Sequence, residues 1–121
     1  MTDKQTNRAL KFINKCRYCV LGTINEEHGV NLSILTTQEK QELKELWFFT
    51  PVSTQKVVDI TGNPKCELLY TDNDNQINIR GEAFIVKEIM LKKMMWNTWV
   101  DIYLPEGPES DESALIKFIL D

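Results

Sequence analysis

Apolar side chains recur at Ala9, Phe12, Ile13 and Cys16, the i, i+3, i+4, i+7 spacing of one helix face. This predicts an amphipathic helix over residues 4–16, capped by Thr2 or Asp3. The period then shortens. "YCVLGTIN" (18–25) and "VNLSILTT" (30–37) read as strands joined by the short turn "EEHG", a hairpin signal. "QEKQELKE" is polar and predicts an exposed connection, and "LWFFT" predicts a third strand. "STQKVVDITG" has the pattern of a short helix: Ser53 can cap it, Val57 and Ile60 give it an apolar face, and Gly62 with Pro64 ends it. "KCELLYTD" (65–72), the tight turn "NDN" and "QINIRGEAFIV" with Lys87 (76–87) predict a second hairpin. Gly81 within that strand marks a bulge or a sharp bend. Residues 88–104 predict one amphipathic helix, with Leu91, Met94, Met95, Thr98 and Trp99 on a broad apolar face. "PEGPESDES" is a loop and "ALIKFIL" a final strand. The fold class expected is mainly β: one domain over residues 1–121, with six strands in an antiparallel, barrel-like sheet and flanking helices.

Composition narrows the function. The net charge of −4 is spread over interspersed acids and bases, without the basic face of a nucleic-acid binder, so no nucleic-acid partner is expected. No apolar run is long enough to span a bilayer, and "MTDKQTNRALKF" has no continuous apolar stretch of the kind a secretory signal carries. A cytoplasmic protein without a membrane partner is the expectation.

The cysteines are Cys16, Cys19 and Cys66, an odd number that argues against a disulfide framework. With His28 they match the ligand count of a Cys3His zinc site. Zinc ligands usually come as two close pairs, and the second pair is missing. "CRYC" also lies where a helix ends and a strand begins, not at the helix start that activates a thiol. The expected role is small buried hydrophobes and no metal. His28, the only histidine, stands in a glutamate-rich turn with no nucleophile motif near any serine, so no catalytic side chain is assigned. The five glycines are isolated and form no phosphate loop.

One stretch carries chemistry. In "LWFFTPVSTQK" a strand ends at Thr50, and Ser53, Thr54 and Lys56 follow at the mouth of a helix. Unpaired helix N–H groups, hydroxyls and an ammonium make an anion site. The structural alternative is that Ser53 simply caps the helix and Lys56 is solvated; spacing alone favours it, because such caps are common.

The ordered set "CVLGTINEEHGVNLSIL", "LWFFTPVSTQK", "DITGNPKCELLYTD" and "INIRGEAFIV", followed by a Trp-bearing helix, resembles the flavin-binding split barrels of the pyridoxamine 5′-phosphate oxidase-like family. The similarity is greatest to the short branch called general stress protein 26-like, and it runs from about Leu10 to Leu120. The resemblance implies a six-stranded antiparallel split β-barrel, bound FMN, and a homodimer with flavin at the subunit interface. In the family the end of strand three and the next helix start hold the FMN phosphate and ribityl chain, through an aromatic–Thr–three residues–Ser/Thr–Arg–Lys motif. Phe49, Thr50, Thr54, Gln55 and Lys56 occupy those positions, with Ser53 beside them and Gln55 in place of the arginine. Gln76, five residues before Gly81, matches a glutamine that reaches the neighbour's FMN. Ser33 stands where the oxidases have a basic residue on strand two. Trp96 and Trp99 are candidates for stacking on flavin, against the commoner role of core or dimer contact.

Two functions follow. One is an FMN-dependent oxidoreductase of unknown substrate, favoured by Thr50, Thr54, Lys56 and Gln76. The other is a split-barrel binding or stress-related regulatory module without tight flavin binding, favoured by the loss of the arginine. The full-length oxidases carry a further C-terminal segment whose arginine and histidine hold the substrate phosphate. This chain ends at Asp121 with its one histidine at position 28, so efficient oxidation of pyridoxamine 5′-phosphate is not expected.

Overall fold

In the computed structural model, which describes residues 2–38 and 41–121, six strands follow the helix α1 (Asp3–Lys15). They are β1 (Tyr18–Ile24), β2 (Val30–Thr36), β3 (Glu45–Pro51), β4 (Lys65–Thr71), β5 (Gln76–Val86) and β6 (Ser113–Leu120). Helix α2 (Gln55–Gly62) separates β3 from β4. Helices α3 (Ile89–Met95) and α4 (Thr98–Tyr103) lie between β5 and β6. The strand order is β2-β1-β4-β5-β6-β3, every pair is antiparallel, and the sheet curls into a half-barrel. No described helix is long and apolar enough to cross a membrane.

Local chemistry explains the element ends. Thr2 caps α1 in a reciprocal pair with Gln5: the Gln5 N–H donates to Thr2 Oγ1 at 3.2 Å, and the Thr2 N–H donates to Gln5 Oε1 at 2.8 Å. In the β1–β2 turn, Asn25 Oδ1 accepts from the N–H groups of Glu27 and Gly29, while His28 takes the left-handed conformation at φ 65°. Asp72 Oδ1 closes the β4–β5 turn by accepting from Asp74 and Asn75.

The inner face of the curled sheet holds the main core, including Leu21, Leu35, Leu46, Phe48, Leu68, Tyr70, Ile116 and Phe118. Ile13 of α1 and Ile60 of α2 complete it. "LWFF" is a continuous apolar run because β3 is covered on both sides: Leu46 and Phe48 face this core, and Phe49 faces a second cluster with Val100, Leu104 and Leu115 beneath α3 and α4. At Gly81 an added Cβ would run into the Ile119 carbonyl and the Phe118 ring, so the glycine serves close packing of β5 on β6.

Two sequence expectations are corrected. The predicted helix over 88–104 is broken at Trp96 and Asn97. Asn97 Oδ1 accepts from the Val100 N–H at 3.1 Å and starts α4 afresh. Its expected apolar face is also misplaced: Met94 and Thr98 are exposed, and Lys92 is buried instead. The connection 38–45 is not simply exposed. Glu39 and Lys40 lie outside the described residues, but Gln41 and Leu43 are buried, and the Gln41 amide bonds both the N–H and the C=O of Trp47.

Candidate functional site

The turn from β3 into α2 brings the two threonines of the sequence motif together. Thr50 is fully buried at the end of β3, and its Oγ1 lies 3.3 Å from Thr54 Oγ1. Both hydroxyls also donate to the Pro51 carbonyl, at 3.2 Å and 3.1 Å. Thr54, not Ser53, occupies the cap position of α2, so the sequence reading of Ser53 as the cap is corrected. Ser53 is exposed in the turn. The Thr54 hydroxyl points back to Pro51, and no side chain caps the helix. Among the described residues no side chain accepts from its first N–H groups, at the positive end of the helix dipole.

Lys56, in the first turn of α2, is half-buried and makes no ion pair among the described residues. Burial lowers its pKa from the ordinary lysine value, as expected of an ammonium that has lost water and gained no carboxylate. Uncapped N–H groups and a lysine amine without an ion pair among the described residues form a donor set suited to an anionic ester, while the two threonine hydroxyls, already donating to Pro51, shape the turn that presents them. By this criterion the residues fit a flavin phosphate.

Gln55 is not free to join that set. Its Nε2 donates to Asp59 Oδ1 at 2.9 Å. Asp59 is 3% exposed, and its Oδ2 accepts from Thr23 Oγ1 at 2.7 Å and Asn31 Nδ2 at 2.8 Å. Burial pushes the Asp59 carboxyl up, but the bonds from Asn31, Gln55 and Thr23 outweigh it and hold the pKa below the usual aspartate value. This network ties α2 to the β1–β2 hairpin. Sequence reasoning missed it, because Thr23, Asn31 and Asp59 share no local spacing. The one available signal was a lone aspartate on the apolar side of "VVDI".

The remaining sequence candidates are dispersed. Ser33 is half-buried on β2 opposite Leu21, on the same face as Asn31. Phe49 lies on the other face of β3 from Thr50, and its ring meets Trp96 edge-to-face with centroids 5.2 Å apart. Gln76 is exposed at the start of β5, donates to Asn78 Oδ1, and makes no described hydrogen bond to α2 of its own chain. Trp99 stacks under the Arg17 guanidinium at 5.3 Å. Cys16, Cys19 and Cys66 are buried free thiols. Burial raises the Cys16 pKa and pushes Cys19 and Cys66 up to about 12. Among the described residues, no three of His, Cys, Asp or Glu gather in metal-binding range.

Solved structures repeat this architecture. A protein from Clostridium acetobutylicum related to general stress protein 26 of B. subtilis superposes with a TM-score of 0.87 at 21% identity, covering 99% of this chain and 86% of its own. General stress protein 26 from Bacillus anthracis superposes at 0.82 with 24% identity, covering 97% and 89%. A general stress FMN/FAD binding protein from Xanthomonas citri gives 0.84 at 18% identity, covering 99% and 86%. No curated protein matches the sequence significantly. At these identities the likeness shows the fold. The sequence pattern of the family described as pyridoxamine 5′-phosphate oxidase like matches residues 4–121, and the chain belongs to that family.

Proposed function

We propose that this protein is an FMN-binding flavoprotein, acting as a flavin-dependent oxidoreductase. The observation that carries the reading is a half-buried Lys56, without an ion pair among the described residues, in the first turn of an α2 that no side chain caps, next to the Thr50–Thr54 pair. Family membership supports it, as does the flavin binding named for the Xanthomonas citri protein of the same fold. The α2 N–H groups and Lys56 would hold the phosphate beside Thr54 at the helix cap, Ser33 would stand along the ribityl chain, and the buried Thr50 would act by shaping the turn. When bound, the flavin supplies the redox chemistry. The chain contributes position, charge and exclusion of water, with no side chain assigned to a proton transfer.

We further propose that the flavin sites form between two copies of the chain. Val30, Leu32 and Ile34 on the outer side of the edge strand β2 are 66%, 73% and 68% exposed, an apolar stripe unusual for a free surface. A cleft of about 690 Å³ runs beside it across β1, β4 and β5. Pairing through this face would cover it, and would let Gln76 of one copy serve the other's site.

The second reading, a split-barrel regulatory module without tight flavin binding, is favoured by the engagement of Gln55 with Asp59. Titration of apoprotein with FMN, followed by quenching of flavin fluorescence, separates the two. Saturable binding at micromolar flavin supports the flavoprotein, and none leaves the module. Sedimentation equilibrium tests the dimer, which a monomer at micromolar concentration would exclude.

A further inference from the structure

The start of α2 carries two side chains able to donate to an anion, Gln55 and Lys56, and only one is free. Gln55 is solvent-exposed as a residue, yet its amide is held at 2.9 Å by Asp59, whose carboxylate is buried and fixed from the other side by Thr23 and Asn31. A buried carboxylate with three neutral donors, and no cation paired to it among the described residues, holds each donor strongly, because releasing one strips a charge-assisted bond from a group that water cannot reach. The network is therefore a rigid latch on Gln55, while Lys56 one residue on has no carboxylate partner among the described residues.

We propose that Asp59 is a positioning residue that sets how far the flavin site depends on the phosphate ester. By latching Gln55 it leaves Lys56 as the single free side-chain donor in the first turn of α2, so the phosphate ester adds only about tenfold to flavin affinity and the site still takes riboflavin. This rests on the flavin reading above and specifies its ligand class.

The test is the ratio of FMN to riboflavin affinity, from fluorescence titrations of the dialysed full-length protein, with circular dichroism to check each variant's fold. In wild type the ratio is expected to stay near about tenfold, the worth of one charge-assisted contact. In Asp59→Asn the amide oxygen can keep Thr23 and Asn31 at the Oδ2 position, while the amide NH2 takes the Oδ1 position and meets the Gln55 NH2 donor to donor, so Gln55 is released. The ratio should rise by roughly threefold to tenfold, the range of one hydrogen bond, while riboflavin affinity stays put. Gln55→Ala alone should leave the ratio unchanged, and combined with Asp59→Asn it should abolish the rise. A fall of the ratio in Gln55→Ala would overturn the proposal, since Gln55 would then already touch the phosphate. Parallel changes in both flavins on Asp59→Asn would also overturn it, by showing a purely structural role. If Asp59→Asn does not fold, the Gln55→Ala result and a wild-type ratio above about a hundredfold, two such contacts, decide against it. Failure of the underlying reading looks different: either no flavin binds any variant, or Lys56→Ala leaves FMN affinity untouched, and the inference falls with it.

Discussion

Thr50 Oγ1 and Thr54 Oγ1 lie 3.3 Å apart across the turn from β3 into α2, and both are anchored on the Pro51 carbonyl. This pair fixes where the uncapped α2 start points, and hence where Lys56 can place its ammonium. Lys56→Ala is therefore expected to weaken FMN binding by at least about tenfold, the effect of losing a charge-assisted contact of roughly 1.5–3 kcal/mol. Fold stability should hardly change, because Lys56 makes no ion pair among the described residues. Fluorescence titration gives the first quantity and thermal unfolding the second.

Gly81→Ala should destabilise the barrel. A Cβ at this position would collide with the Ile119 carbonyl and stand 2.7 Å from Phe118 Cζ. The carbonyl belongs to the neighbouring strand and cannot step aside as a flexible side chain could. The cost is expected at about 1–3 kcal/mol or more, seen as a lower urea midpoint with an unchanged slope. Equal midpoints would mean that β5 and β6 can separate freely at this point.

Much of this architecture was legible in the sequence because its signals are local. The turns "EEHG" and "NDN", with the strand-forming runs beside them, place β1 and β4 to within a residue or two. The period of residues 88–104 misled because Lys92 interrupts the apolar face in sequence but is buried in space, and because Asn97 starts a new helix inside the pattern. The site was legible where it is contiguous, at Thr50–Lys56. It was not legible where it depends on Thr23, Asn31 and Asp59, which only the topology brings together. Phe49 follows the same logic in reverse: adjacent to Thr50 in sequence, it turns to the opposite face of the strand and packs on Trp96.

Lys92 is 1% exposed, and its Nζ donates to the carbonyls of Ser110 and Ser113, at 2.8 Å and 3.1 Å, and to Ser113 Oγ at 3.3 Å. It pins the loop before β6 onto α3. Lys92→Met keeps the volume but orphans those acceptors, and should cost on the order of 1.5–3 kcal/mol. Denaturant unfolding measures it. A neutral result would mean that water replaces the ammonium without loss.

Cys19 and Cys66 are 3% and 8% exposed, with pKa values pushed up to about 12 by burial. Thiolate is the reactive form, so native protein at pH 8 should resist alkylation at both sites, and should be modified at the rate of a free thiol only after unfolding. Mass spectrometry of protein treated with iodoacetamide, with and without denaturant, reads this directly. Rapid labelling of native Cys19 would show that the barrel opens around it.

Asp59 gives the stability a pH dependence of known sign. Its burial alone would raise the carboxyl pKa, but the bonds from Asn31, Gln55 and Thr23 prevail, and the folded value lies below the ordinary one. The ionised form thus stabilises the fold, fully so above the unfolded pKa near 4, and that contribution is lost as pH falls through the lowered folded value. Asp59→Asn should accordingly be less stable than wild type at pH 7, and the gap should narrow below about pH 4. Asp72 and Glu109, also held below their ordinary values, titrate in the same region. They are present in both proteins, so they lower both curves and cancel in the difference. Urea midpoints measured from pH 3 to pH 8 on the two proteins provide the check. A gap that widened toward acid would mean that burial, not the three donors, governs this carboxylate.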